Sequence, residues 1–350
     1  MPRKILILGA SYGSLLGTKL LMAGHDVTLV CRAQTAALFN AEGSKVRIKL
    51  RGEDAHREFH SHDLPGTLDA KAPDQVDPAG YDMVALAMSE PQYGHGDIRA
   101  LMERIAAARK PAVSIMNMPP LPYLQRISGL DVSGLVGAFN NTSGWEDFAP
   151  GLVTLCSPDP QAFRPPEEKP NVLHVGLPTN FKSAPFGDPA HTAILRELAD
   201  DIDAVRVDGQ EVPVKLRVHD SLFVPFAKWA MLLTGNYRCV LPDGVQPIRD
   251  AVLSDRGASQ DVYQTVCNIV DRLGADAESH VPFEKYAKAA ENLLKPSSAA
   301  RAIDAGADRI ERVDLLVQLV GRQVGITHPL IDQVVDTVSR RLEANGKSSA

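Results

Sequence analysis

Long apolar runs are missing from this chain. Nowhere do its 350 residues approach the roughly 20 consecutive apolar positions that cross a bilayer, so no membrane partner is expected. The basic start, Met1 to Lys4, leads into a short apolar run that ends in a glycine turn, which does not read as a signal peptide. Cysteine is scarce: Cys31, Cys156, Cys239 and Cys267 are scattered, with neither metal-like nor disulfide-like spacing. They read as buried thiols in a reducing compartment, and the cytoplasm is the expected location. His25, His95, His280 and His328 have no cysteine or carboxylate at metal spacing, so no metal is expected. They read as turn or surface residues. An excess of positive charge is also lacking, with 37 Lys and Arg against 43 Asp and Glu for a net charge of -6, and no basic run stands out. This argues against a nucleic-acid partner. Hydrophobic content of 44% and charged content of 23% fit an ordinary globular protein, and the length suggests about two domains.

The first thirty residues are the most informative. Lys4 to Leu8 is an apolar run that breaks into Gly9-Ala10-Ser11-Tyr12-Gly13-Ser14-Leu15-Leu16-Gly17. A helical pattern follows to Ala23. Then come Gly24-His25-Asp26 and a second apolar run, Val27 to Cys31, closed by Arg32. This is a strand–helix–strand unit with a glycine turn. Such a turn aims backbone N–H groups and the positive end of a helix at one point, which suits a pyrophosphate. The usual spacing is G-x-G-x-x-G. Here the frame gives Gly9, Ser11 and Ser14, with Gly13 and Gly17 nearby. The candidate cofactor residues are Gly9, Ser11, Tyr12 and Gly13, with the Ser11 hydroxyl facing phosphate. The second strand ends in Arg32 with no acid beside it. A carboxylate there would favour the ribose diol of NAD, whereas a guanidinium grips the 2′-phosphate of NADP. NADP is therefore the expected cofactor.

Strand-like and helix-like segments alternate to about residue 205. Strands are expected at 4–8, 27–31, 45–50, 83–87, 112–116, 135–139, 152–155, 172–175 and 204–207, and helices at 97–108 and 191–202. Residues 157–170 and 178–189 read as irregular. Beyond about residue 210 the spacing is helical, at 215–233, 259–273, 283–293, 299–305, 309–324 and 329–342, with Leu315, Leu316, Leu319, Val320 and Val324 on one apolar face. The polar tail from Asn345 is expected to fray. The fold class is thus α/β plus all-α: a Rossmann-type dinucleotide-binding domain over 1–208, then an all-helical substrate domain over 209–345. A ligand cleft is expected between them. Trp145, Phe148, Phe163, Phe181 and Phe186 fall in the loop-rich middle and read as loop packing, with the lining of a substrate pocket as the alternative.

With these residues in view, the chain resembles the ketopantoate reductase family within the 6-phosphogluconate dehydrogenase-like superfamily. Four patches carry the resemblance. They are Ile7 to Val27; Leu86-Ala87-Met88-Ser89-Glu90-Pro91-Gln92; Ser114-Ile115-Met116-Asn117; and the helical half with Ala227-Lys228-Trp229, Asn236, Pro242-Asp243-Gly244, Ser297-Ser298 and Gly321 to Pro329. The resemblance implies that Lys228 is the general acid, donating a proton to the substrate oxygen as hydride reaches carbon. Its apolar neighbours would lower its pKa. It also implies Asn117 near the nicotinamide, and Asn236 and Ser298 at the substrate. The departures are specific. The family's lysine in the second patch is Ser89, the asparagine one turn after the catalytic lysine is Leu232, and the asparagine of the Pro-x-Gly turn is Asp243. The late glutamate falls on Arg309 or Ile310, with Asp308 and Glu311 adjacent; Glu311 is the candidate carboxylate. Fewer polar groups disfavour a small hydroxylated keto acid. The expected function is an NADP-dependent reductase or dehydrogenase of a larger, more apolar carbonyl or alcohol, as a cytoplasmic homodimer. An opine- or imine-type reductase and a non-catalytic NADP-binding regulator are the alternatives.

Overall fold

Ile5, Leu6, Ile7 and Leu8 are each no more than 2% exposed. Strand β1 (Lys4–Leu8) is accordingly apolar on both faces, as a central strand of a parallel sheet must be. In the computed structural model, which describes residues 1–348, the chain forms two units. The first comprises Met1–Met88, Gln92–Arg126 and Ser143–Asp220; the second comprises Ser89–Pro91, Ile127–Thr142 and the chain from Ser221 onward. Among the described residues no helix is long and apolar enough to cross a membrane.

In the first unit, β1 is followed by α1 (Tyr12–Met22), β2 (Asp26–Val30), α2 (Ala33–Glu42), β3 (Lys45–Lys49), β4 (His56–His60), β5 (Leu68–Lys71) and β6 (Met83–Leu86). Then come α3 (Gly96–Ala107), β7 (Ala112–Ile115), α4 (Leu121–Leu124), β8 (Val153–Ser157), β9 (Gln161–Phe163), β10 (Val172–Leu177) and β11 (Phe181–Ser183). Helix α5 (Pro189–Ala204), the short pair β12 (Arg206–Val207) and β13 (Gln210–Glu211), and β14 (Leu216–Val218) complete it. The main sheet runs β14-β11-β8-β7-β6-β1-β2-β5. Every pairing in it is parallel except β8 with β11. A second sheet runs β4-β3-β10-β9. Ile5 and Ile7 point to one face, against Leu16 and Leu20 of α1 and Leu195 and Leu198 of α5.

The second unit holds α6 (Ala227–Met231), the hairpin β15 (Val240–Leu241) and β16 (Gly244–Val245), α7 (Ile248–Leu253) and α8 (Arg256–Arg272). It continues through α9 (Phe283–Ala290), α10 (Ser298–Asp304), α11 (Val313–Gln323) and α12 (Pro329–Ser348). Val313, Leu316, Val317 and Val320 of α11 are fully buried, so its core face is turned from the one expected, with Leu315, Leu319 and Val324 only partly covered.

Several expectations need correction. Residues 135–139 are not a strand: 135–138 lie in a 3-10 helix, Val132–Ala138, and Phe139 caps it, with Gly134 and Gly137 interrupting the apolar run. The segment 204–207 contributes only the two-residue β12, because α5 runs to Ala204. The 215–233 stretch opens with β14, and its helix starts only after Pro225. The two supposedly irregular stretches contain β9 and β11. The tail does not fray at Asn345: its amide donates to the Ile303 and Ala307 carbonyls at 2.8 and 2.9 Å, and α12 reaches Ser348. Ser349 and Ala350 lie outside the described residues. Finally, His25 is not a surface residue but is 2% exposed in its turn; it, His280 and His328 meet Asp201, Asp271 and Asp261. Each is a single pair.

Candidate functional site

In the first unit, the turn after β1 is built on Gly9. Its φ is +102°, and a Cβ there would sit 2.6 Å from Met88 Cγ and 2.7 Å from the Ala87 carbonyl oxygen. Only glycine meets both demands. The turn delivers α1 with Ser11 at its N-cap, half-buried Tyr12 as its first residue, no side-chain cap and no acid in the first turn. No side chain or acid occupies its positive end, which suits an anion, although the Ser14 N–H already donates to the Ser11 carbonyl at 3.0 Å. Gly13 has a different duty. An added Cβ would lie 2.7 Å from Ile7 Cγ2, so Gly13 lets the helix close onto β1.

Lys19, which the sequence reading passed over, is only 1% exposed on α1. Its ammonium donates to the Val212 carbonyl at 3.1 Å. Burial pushes its pKa down to about 7, with Lys215 acting in the same direction and Asp203 against it. A lysine among Leu15, Leu16, Leu20, Leu21 and Met22 was the available signal.

The other strand ends carry the remaining candidates. Beyond β6, the Met88 N–H donates to the Tyr93 hydroxyl at 3.1 Å, which fixes the backbone beside Gly9. Beyond β7, Asn117 is half-buried, and its Oδ1 is buried with no hydrogen-bond partner among the described residues, as is Ser114 Oγ. Such acceptors are costly unless a ligand or water satisfies them. Beyond β2, Arg32 is exposed, sits at the N-cap of α2 and cannot cap it; α2 has no acid in its first turn.

In the second unit, Lys228 lies half-buried on α6, next to the fully buried Trp229. The Trp229 ring stacks on Phe226 at 4.1 Å. Past Met231 the helix widens into a π turn, Leu232–Asn236. The Tyr286 hydroxyl donates to the Met231 carbonyl at 3.0 Å, and a Cβ on Gly235 would strike that hydroxyl at 2.1 Å. Asn236 closes this π turn, a device common at functional sites. Leu232, 4% exposed, places an apolar wall one turn after Lys228.

Glu311, the candidate carboxylate, is half-buried. Arg309 is exposed and Ile310 is buried. The Glu311 carbonyl accepts from Tyr237 Oη at 2.5 Å, and Tyr237 Oη accepts from the Val313 N–H at 3.1 Å. Glu311 Oε1 accepts from the Glu90 N–H at 3.2 Å. Glu90 is itself 1% exposed. Its Oε1 accepts from the backbone of Asn140 and Asn141, and its Oε2 from Asn140 Nδ2 at 2.6 Å. Asn140 Nδ2 also donates to the Ile310 carbonyl at 2.8 Å. Burial pushes the Glu90 pKa up, and these bonds oppose it. Sequence reasoning missed Glu90, Asn140 and Tyr237; a charged residue in an otherwise apolar stretch was the signal for Glu90.

Of the substrate candidates, the Asn236 carbonyl accepts from Ser297 and the Glu311 carbonyl from Tyr237, in two separate hydrogen bonds. Ser297, not Ser298, is the N-cap of α10. Its Oγ accepts from the Ala300 N–H and donates to the Asn236 carbonyl at 2.7 Å. Ser298 is exposed, as is Asp243 at the tip of the β15–β16 hairpin. Trp145 and Phe148 pack in the loop core with Tyr93.

No protein-family model matches the sequence, and no curated protein matches it either. Among solved structures, 2-dehydropantoate 2-reductase from Methylococcus capsulatus is 14% identical with a TM-score of 0.67, covering 98% of this chain and 97% of its own. D-mandelate dehydrogenase in a ternary structure with NADH and anilino(oxo)acetate is 15% identical with a TM-score of 0.64, over 98% and 99% of the two chains. Dimeric ketopantoate reductase from Staphylococcus aureus is 12% identical with a TM-score of 0.61, over 98% and 100%. At these identities the likeness establishes a shared fold along nearly the whole chain.

Proposed function

We propose that this protein is an NADP-dependent oxidoreductase of the ketopantoate reductase type, acting on a 2-oxo acid, or the matching 2-hydroxy acid, that bears a bulky apolar group. The observation that carries this reading is the Gly9 turn, which presents an uncapped helix on a fold that also serves proteins acting with nicotinamide cofactors. The residues present fit that group. Gly9 leaves room for close backbone approach, Asn117 Oδ1 lacks a donor, and Arg32 has no carboxylate beside it.

When bound, the cofactor supplies the hydride. The rest of the chemistry falls to the chain. The α1 N-terminus holds the pyrophosphate, and Asn117 Oδ1 accepts from an amide or hydroxyl of the nicotinamide half. Hydride addition builds negative charge on the carbonyl oxygen. The Lys228 ammonium stabilises that charge and gives up a proton from Nζ to the oxygen; in the reverse direction the neutral amine takes it back. Glu311, fixed at both its carbonyl and its carboxylate, is the acid partner that keeps the ammonium oriented. Asn236 binds the substrate's polar end. Leu232, where a polar partner would hold a small hydroxylated acid, favours an apolar substituent. The anilino(oxo)acetate in the D-mandelate dehydrogenase structure, a 2-oxo acid with an aromatic group, supports this class. A homodimer belongs to this reading, since the Staphylococcus aureus protein is dimeric.

The test is a steady-state panel of 2-oxo acids from ketopantoate to aryl-substituted members, followed by NADPH absorbance. Turnover of bulky members is expected, with ketopantoate well below a kcat/KM of about 10⁴ M⁻¹s⁻¹. Ketopantoate turnover above that level refutes the substrate assignment. NADPH binding with no oxidation by any carbonyl or C=N acceptor refutes the enzyme.

A further inference from the structure

Along the helix that carries Lys228, positions 228, 231 and 236 are half-buried, while 229, 230 and 232–235 are buried. The half-buried positions are thus three residues apart, then five. In an unbroken α-helix a residue seven positions on lies about 20° around the axis from the first, and one eight positions on about 80°. Asn236 would then stand well off the Lys228 face. The aligned place would fall to Gly235, which has no side chain to offer. The π turn changes this. The Tyr237 N–H donates to the Leu232 carbonyl, five residues back, so the turn absorbs one residue. Asn236 then stands to Lys228 as a residue seven positions on, two turns along the same face.

One side chain from a different helix reaches into this turn. The Tyr286 hydroxyl, on α9, stands where a Gly235 side chain would be. From there it donates to the carbonyl of Met231, the last residue of α6, at 3.0 Å. A side chain inserted into the helical ladder breaks its regular winding. The tyrosine is itself held in place. It is 7% exposed and stacks on Tyr263 with ring centroids 5.7 Å apart. The Tyr263 hydroxyl donates in turn to the Val281 carbonyl at 2.7 Å. Ile248 and Val252 of α7 also close on Gly235, each with a methyl 3.1 Å from the place of its missing Cβ. Burial pushes the Tyr286 pKa up, so the hydroxyl keeps its proton and remains a donor.

We propose that Tyr286 is a positioning residue for the substrate site: by pinning the Met231 carbonyl it keeps the π turn, and the turn sets Asn236 in line with Lys228. The proposal rests on the roles given to Lys228 and Asn236 above, and the test separates the two. Wild type, Tyr286→Phe, Asn236→Ala and the double variant are assayed with NADPH and phenylglyoxylate, an aryl 2-oxo acid, and Tyr286→Phe is crystallised. Lys228 precedes the turn and Asn236 follows it, so the loss should fall on substrate binding. Tyr286→Phe should raise KM about tenfold or more with kcat within about threefold of wild type, and NADPH affinity should be unchanged. In the Asn236→Ala background the same change should raise KM less than about twofold, as expected of two residues acting as one unit. In the Tyr286→Phe crystal structure the Tyr237–Leu232 bond should be lost and Asn236 should be rotated off the Lys228 face. A Tyr286→Phe enzyme with wild-type KM overturns the proposal. Equal rises in KM with and without Asn236 also overturn it, since they would show that Tyr286 merely supports the fold. A wild type inert toward phenylglyoxylate and every other 2-oxo acid overturns the functional reading instead. The crystal structure then decides the hold of Tyr286 by itself: a Tyr286→Phe protein that keeps the turn and the wild-type place of Asn236 refutes it.

Discussion

Replacing Lys19 by Met should stabilise the protein near pH 6 and slightly destabilise it near pH 10. The ammonium is 1% exposed on α1, and burial lowers its pKa from 10.5 to about 7. Below about pH 7 the lysine is charged in both the folded and unfolded chains, and the folded state carries the full unfavourable burial. Between pH 7 and 10.5 the unfolded chain keeps the proton and the folded chain does not, so stability rises with pH by about 1.4 kcal/mol per unit. The full gap corresponds to roughly 5 kcal/mol. Met fills the same volume without charge, but it strands the Val212 carbonyl that Lys19 satisfies, at about 1–3 kcal/mol. The net gain for Lys19→Met is then roughly 2–4 kcal/mol at pH 6, a rise in melting temperature of about 3–6 °C for a chain of this length. The two effects cancel near roughly pH 9, beyond which the lost hydrogen bond dominates. Urea and thermal melts of both proteins at pH 6 and pH 10 check this. A Lys19→Met protein that is destabilised equally at both pH values would refute it, showing that Asp203 and the Val212 carbonyl already compensate the charge.

Three further outcomes follow from the site. Lys228→Ala should lower kcat about 10²–10⁴-fold on the true substrate with NADPH affinity little changed by calorimetry, and Lys228→Arg should not restore the rate, because a guanidinium does not release its proton; a folded Lys228→Ala enzyme with near wild-type kcat removes Lys228 from the chemistry. Gly13→Val should lose about 1–3 kcal/mol of stability in cofactor-free urea melts, because its side chain overlaps Ile7 Cγ2; an unchanged melt with weakened NADPH binding would instead mark Gly13 as a phosphate contact. Glu90→Gln should destabilise the second unit by about 1–3 kcal/mol, since the new amide meets either the Asn140 amide or the two backbone donors it now accepts from; a melt identical to wild type would show that Asn140 reorients at no loss.

The opening β1–α1–β2 unit was legible because both strands are apolar runs and Gly9 and Gly24 mark their turns. Helices α8 and α12 were legible from their spacing. Strand β4, His56 to His60, was not: it is short and polar, and pairs only with β3. The 215–233 stretch misled because its apolar residues suit either spacing, while Val214 at φ +65° and Pro225 break the chain. Lys228 stood out in sequence, whereas Glu311 was named only as the carboxylate beside the counted position, because counting from either side landed on its neighbours. Its position is set by Glu90 and Tyr237, which are remote from it in the chain. Ser297 and Ser298 are adjacent, and only the hydrogen bonds show that Ser297 caps α10.

The clasp joining Glu90 to Glu311 spans 221 positions of sequence, which has a consequence for biosynthesis. At about 5–20 residues per second, the Glu90 segment leaves the ribosome roughly 10–45 s before its partner exists. Through that interval the Glu90 N–H has no Glu311 carboxylate, and the Asn140 side-chain amide no Ile310 carbonyl, to close upon. The helical unit therefore cannot mature from its own C-terminal stretch alone: residues 89–91 and 127–142 must be kept open and recruited late. A nascent chain stalled before residue 311 should leave them open to protease, and release of the full chain should close them together.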